Sequence, residues 1–110
     1  MANESPQLLP GTLYMLILKT LAAGPMHGYA ISRRIKQCSD EVLAVEEGSL
    51  YPALNRMLIK GWLEAKWGTT ETGRKARFYR LTDDGRKQLK SEASEFNKLV
   101  QAIQMVMKTA

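Results

Sequence analysis

Residues 48–82 read GSLYPALNRMLIKGWLEAKWGTTETGRKARFYRLT, and this stretch decides the architecture. In its first half Leu50, Leu54, Met57 and Leu58 recur at the three- and four-residue spacing of one helix face, which predicts a helix with these residues buried. Ser49 is placed as the N-cap, so Pro52 falls on the third helical position, where an N–H has no partner within the helix and a proline costs little. Gly61 follows as a left-handed C-terminal cap. Pro52, Asn55, Arg56, Ile59 and Lys60 form the opposite stripe. From Trp62 to Trp67 and from Ala76 to Leu81 the period changes to two. Leu63, Ala65 and Trp67 alternate with Glu64 and Lys66, while Arg77, Tyr79 and Leu81 alternate with Phe78 and Arg80. With the Thr- and Gly-containing link from Thr69 to Lys75 between them, these segments predict a β-hairpin with a cationic tip. Trp62 and Trp67 are expected to anchor that hairpin to the core.

Upstream, Leu13, Leu16, Ile17 and Leu21 mark a helix that begins after Pro10-Gly11 and stops at Gly24-Pro25. Its other side carries Tyr14, Met15 and Leu18, so a second covering partner, another chain, is expected there. A second helix fits His27 to Cys38, with Ile31, Ile35 and the Cys38 thiol inward and Arg33, Arg34, Lys36 and Gln37 outward. Val42 to Val45 reads as a brief strand. Downstream, Thr82-Asp83-Asp84 supplies an N-capping hydroxyl and two carboxylates at the positive end of a helix dipole. Along that last helix Leu89, Ala93, Phe96, Val100, Ile103 and Met107 step by fours and threes, an a/d seam. A seam reaching away from an already closed small core would be exposed apolar surface, so it predicts a partner helix.

The chain has 110 residues, room for one compact domain, with a net charge of +5. Residues 1–47 hold four basic and five acidic side chains, residues 48–82 seven and two, and residues 83–110 five and four. The whole excess therefore sits on the third helix and the hairpin, which points to a polyanion rather than to an evenly solvated surface. One His and one Cys leave no zinc set, no disulfide framework and no group placed to orient a nucleophile, so neither an enzyme nor a bound cofactor is expected. No apolar run approaches the about 20 residues that span a bilayer, and the N-terminal MANESPQLLPG is unlike a secretory signal, so a cytoplasmic location without membrane contact is expected.

The predicted class is mainly α (α+β): a winged helix-turn-helix over residues 1–82 followed by a C-terminal dimerisation helix over residues 83–110. A helix about 10–12 Å across fits the major groove of B-DNA, about 12 Å wide, where base edges can be told apart. The third helix offers Ser49, Tyr51, Pro52, Asn55, Arg56 and Lys60 for that purpose, and Arg74, Lys75 and Arg77 of the hairpin would meet the neighbouring phosphates. A winged helix that engages protein or RNA is the alternative reading, although RNA modules more often display aromatic side chains for stacking.

Three motifs, LAAGPMHGYAI at 21–31, GSLYPAL at 48–54 and RFYRLTDDG at 77–85, resemble those of the PadR family of bacterial transcriptional regulators. The likeness runs over residues 9–107, and the short C-terminal part is similar to the smaller subfamily with one such helix. The resemblance implies a homodimer on double-stranded operator DNA that represses nearby genes and is released by a small aromatic or phenolic molecule. It places Ser49, Tyr51 and Pro52 on the recognition helix and brings His27 and Tyr29, at the start of the second helix, to phosphates. For His27 a surface or capping role, and for Tyr29 core packing, are the competing readings; Gly28 permits close helix approach. The dimer would join through Tyr14, Met15, Leu18 and the seam from Leu89 to Met107. At its centre Phe96 would stack on the ligand, with Met15, Met105 and Met107 as adaptable lining.

Overall fold

The computed structural model describes residues 8–109; the N-terminal stretch read above as lacking a secretory signal lies largely outside them. In chain order the elements are α1 (Pro10–Leu21), β1 (Met26–His27), α2 (Gly28–Cys38), α3 (Glu47–Ile59), β2 (Leu63–Thr69), β3 (Lys75–Leu81) and α4 (Asp83–Met107). The helical and two-residue periods of the sequence are thus realised where expected, with one addition. The sequence reading had His27 opening α2, yet Met26 and His27 pair with Tyr79 and Phe78 as a third, edge strand of an antiparallel sheet ordered β1-β3-β2.

The core joins the inward faces of all these elements. Leu13, Ile17, Leu18 and Leu21 of α1 meet Ile31 and Ile35 of α2, and Leu50, Ala53, Leu54 and Met57 of α3. Leu63, Tyr79 and Leu81 of the hairpin close the remaining side. Burying these side chains is the main favourable term, each large aliphatic one contributing about 1.5–3 kcal/mol over an exposed position. Leu18 is fully buried within the single chain, so it has no surface left for a partner, contrary to its assignment to the dimer face. Tyr14 likewise turns toward α3 and Trp62 rather than outward. Met15 is half-buried.

Two local expectations fail for backbone reasons. Val42–Val45 is not a strand. The Ser39 hydroxyl accepts from the Leu43 amide at 3.0 Å, and Asp40 and Glu41 take left-handed φ values of 54° and 67°, so the link folds back on the end of α2. The thiol of Cys38 is exposed rather than inward, because the helix ends there, one turn beyond Ile35 and the core.

At α3 the start moves upstream: Glu46 is the N-cap, and its carbonyl accepts from Ser49 and Leu50 at 3.0 and 2.9 Å. Ser49 is therefore helical and not the cap, and Pro52 is inside the helix, where its missing N–H leaves the exposed Gly48 carbonyl without a helical donor. The C-terminus closes as the sequence suggests. Gly61, at φ 80°, donates to Leu58, and Trp62 donates to Met57, both at 3.0 Å. Thr82 then links the two helix ends, its hydroxyl accepting from the Gly85 amide at 3.0 Å and donating to the Gly61 carbonyl at 2.6 Å.

Helix α4 leaves the core as it runs. Leu89 packs on the core and Ala93 is half-buried, whereas Phe96 is 41 % and Met107 76 % exposed. Val100 is half-covered and Ile103 exposed, so the seam is more open at its C-terminal end than at its start. The described chain is accordingly elongated, 56 × 37 × 21 Å.

Candidate nucleic-acid interface

The register of the hairpin builds the interface. Leu63 pairs with Leu81, Ala65 with Tyr79, Trp67 with Arg77 and Thr69 with Lys75, all on one sheet face. Leu63, Leu81 and Tyr79 are buried, Ala65 is half-buried, and the last two pairs are open. The strands outrun the core, so the face that begins as packing surface ends as the wall of a groove. Trp67 is on that wall and 65 % exposed; it does not anchor the hairpin. Trp62 does pack, its ring meeting Tyr14 edge-on at 5.8 Å. At the tip Thr70 organises the turn: its amide donates to the Arg74 carbonyl at 2.8 Å, and its hydroxyl accepts from the Arg74 amide at 3.1 Å.

The groove, about 1190 Å³, is bounded by the hairpin, the exposed side of α2 and part of α3. Arg74, Lys75 and Arg77 of the hairpin face Arg33 and Arg34 of α2 across it, with Glu71 the one carboxylate among its described lining residues. Such a concave cationic surface attracts an extended polyanion. Tyr29 borders it, 60 % exposed, with the Arg33 guanidinium 5.7 Å from its ring centre; core packing is therefore not its role. His27 also borders it, half-buried in β1 and edge-on to Phe78 at 5.4 Å. Arg33, Arg34, Gln37 and Trp67 were not singled out as site residues from the sequence. Tyr29, Arg33 and Gln37 do share one face at helical spacing, but only the fold shows that this face looks toward the hairpin.

Helix α3 divides its polar residues between two sides. Tyr51 and Asn55 reach the groove. The Tyr51 ring lies so close over Gly28 that a Cβ there would sit 2.5–2.8 Å from it, which fulfils the expected close approach of α2 and α3. Burial, then the negative charge of Glu47, then Tyr79, push the Tyr51 phenol above its ordinary pKa. Gly48, Pro52, Asn55 and Ile59 make the stripe facing straight away from the core, and all are exposed.

Arg56 and Lys60 belong to a different side of α3 from the one the sequence suggested. The Arg56 Nε donates to the Tyr14 hydroxyl at 2.6 Å, and the Lys60 ammonium lies 5.3 Å from the Trp62 ring centre. Cation–π attraction and one hydrogen bond thus hold two cations against an aromatic pair on the flank of the helix. Ser49 is exposed near the start of the helix.

A three-helix core with a paired hairpin beside its third helix is a winged helix-turn-helix, a class that reads duplex DNA with that helix and holds the backbone with the wing. The family model described as the transcriptional regulator PadR-like family matches residues 17–91, and the chain belongs to that family. Its regulators bind DNA and are typically dimeric; they are not enzymes. Among solved structures, a transcriptional regulator from Clostridium thermocellum is 31% identical, with 89% of this chain and 95% of that one covered and a TM-score of 0.81. A PadR-like transcriptional regulator from Bacillus cereus is 26% identical over 96% of this chain and all of that one, with a TM-score of 0.80. An uncharacterised protein of Lysinibacillus sphaericus is 27% identical over 100 residues, 91% of this chain and 92% of its own length. No helix among the described residues is long and apolar enough to cross a membrane.

Proposed function

We propose that the chain is a homodimeric, sequence-specific repressor of transcription, acting in the cytoplasm and released from its operator by a small aromatic or phenolic molecule. The observation that carries this reading is the separation of two surfaces. The open cationic groove and the outer stripe of α3 lie on the winged-helix unit, and the bared apolar seam lies on α4. Residues 1–82 are the DNA-binding unit and residues 83–110 the dimerisation helix.

Within the first unit, Ser49, Tyr51, Pro52 and Asn55 approach base edges, Asn55 carrying the side-chain amide that can pair with adenine. Arg56 and Lys60 on one flank, and Arg74, Lys75 and Arg77 on the wing, neutralise phosphates. His27 and Tyr29 complete the backbone contacts from the start of α2. In the second unit Leu89, Ala93, Phe96, Val100, Ile103 and Met107 meet the same residues of a second copy, and Phe96 with Met15 forms the ligand site at the centre of the dimer.

The test is binding of the chain to its own upstream region as salt rises. Counterion release predicts a steep linear fall of log affinity with log salt. A flat response, or equal affinity for any duplex, refutes operator recognition. The dimer is tested separately by sedimentation at micromolar concentration: the parent chain sediments as a dimer, and Val100→Asp converts it to the 12.4 kDa monomer.

A further inference from the structure

A large aromatic ring exposed to water at the rim of a cationic groove has no role in holding this fold. Trp67 follows Leu63 and Ala65 on the inward face of β2, but the core ends before it. Its cross-strand neighbour is Arg77, and Arg33 and Arg34 line the same groove. Those cations define the occupant by charge: a sugar–phosphate chain whose phosphates they pair with. Between successive phosphates such a chain presents apolar deoxyribose, and on the hairpin side of the groove the indole, 65 % exposed, offers it a large apolar wall.

We propose that Trp67 is a DNA-contact residue that packs against the deoxyribose backbone beside the recognition helix, an uncharged anchor set among charged ones. This rests on the DNA-binding reading above and adds a contact that charge patterning alone does not reveal. Because the indole is neutral and touches sugar, it strengthens binding to any duplex without releasing counterions. Arg33, Arg34 and Arg77 hold the phosphates on either side of it.

The experiment measures affinity for operator and random duplexes over a salt series, with Trp67→Ala, Trp67→Phe and Arg77→Ala beside the parent chain. Trp67→Ala is expected to weaken both duplexes alike, by roughly tenfold, near the lower end of what an aromatic side chain stacked on a base contributes. Its salt slope stays that of the parent, whereas Arg77→Ala lowers the slope by about one. Trp67→Phe recovers part of the loss. Thermal unfolding of Trp67→Ala matches the parent, which separates the contact from a structural role. In a Trp62→Phe background the remaining indole fluorescence of Trp67 changes when duplex is added.

Unchanged affinity and unchanged fluorescence, with the parent still binding DNA in a salt-dependent way, overturn this proposal and leave the DNA reading standing. A loss confined to the operator overturns the backbone assignment in favour of base reading. Tighter binding of the parent to single-stranded RNA than to either duplex, or no salt-dependent duplex binding at all, removes the DNA reading and this contact with it.

Discussion

The root and the tip of the hairpin are built from the same alternating pattern and end in opposite states. At the root, Leu63 and Leu81 are buried, Trp62 packs edge-on against Tyr14, and Thr82 ties the start of α4 to the end of α3. At the tip, Trp67, Arg77 and Lys75 stand open around a groove. Two tryptophans five residues apart thus take different places, one packed at the root and one exposed on the wall of the groove. The difference lies in how many residues of each strand have another element facing them, and three helices cover only the first two inward pairs. A winged helix gains its binding face by letting a strand pair outgrow its core.

That contrast can be broken by substitution. Leu81→Ala, at the buried end of β3, is expected to cost about 3 kcal/mol, read as a lower midpoint in urea unfolding. Trp62→Ala follows at about 2 kcal/mol, less than a fully buried ring because Trp62 is half-exposed. Thr82→Ala removes the helix cap and the hydroxyl donated to Gly61, about 1 kcal/mol by the same measurement. Thr70→Ala, at the tip, loses two exposed turn bonds, one from the Arg74 amide and one shared with the Thr72 hydroxyl, about 0.5 kcal/mol in all. Trp67→Ala stays within about 0.5 kcal/mol of the parent. If it cost as much as Trp62→Ala, the root and tip would be one packed unit and the contrast would be lost.

Much of this was legible in the chain, and the misses have a common cause. Periodicity and capping residues located all four helices and both long strands, because those signals act through contacts within one element. The Gly61 cap and the Thr82 cap are instances, each satisfied by groups a few residues away. The Ser49 cap failed because Glu46 starts the helix earlier through its backbone carbonyl, with no side-chain bond to mark it. The edge strand at His27 escaped because two residues carry no period, and its partner, Phe78, is distant in sequence.

The candidate interface divides in the same way. Arg74, Lys75 and Arg77 were recognisable as a cationic tip from the hairpin alone. Arg33 and Arg34 looked like an ordinary solvated face, since nothing local shows that α2 turns them toward the wing. Leu18 and Tyr14 looked like a second apolar side of α1, and they became core and Arg56 partner once α3 and β2 closed over them.

The sequence by itself determined the order of the four helices and the two long strands, the alternation within the hairpin and the segment that carries the excess charge. Each of these follows from neighbours along the chain: side-chain period, caps, and the count of ionised groups. Tertiary structure alone decided which apolar residues are core and which are surface. A residue's exposure depends on what lies across from it, so Cys38 and Trp67, inward by period, emerge where the core stops, and Leu18 disappears where two helices meet.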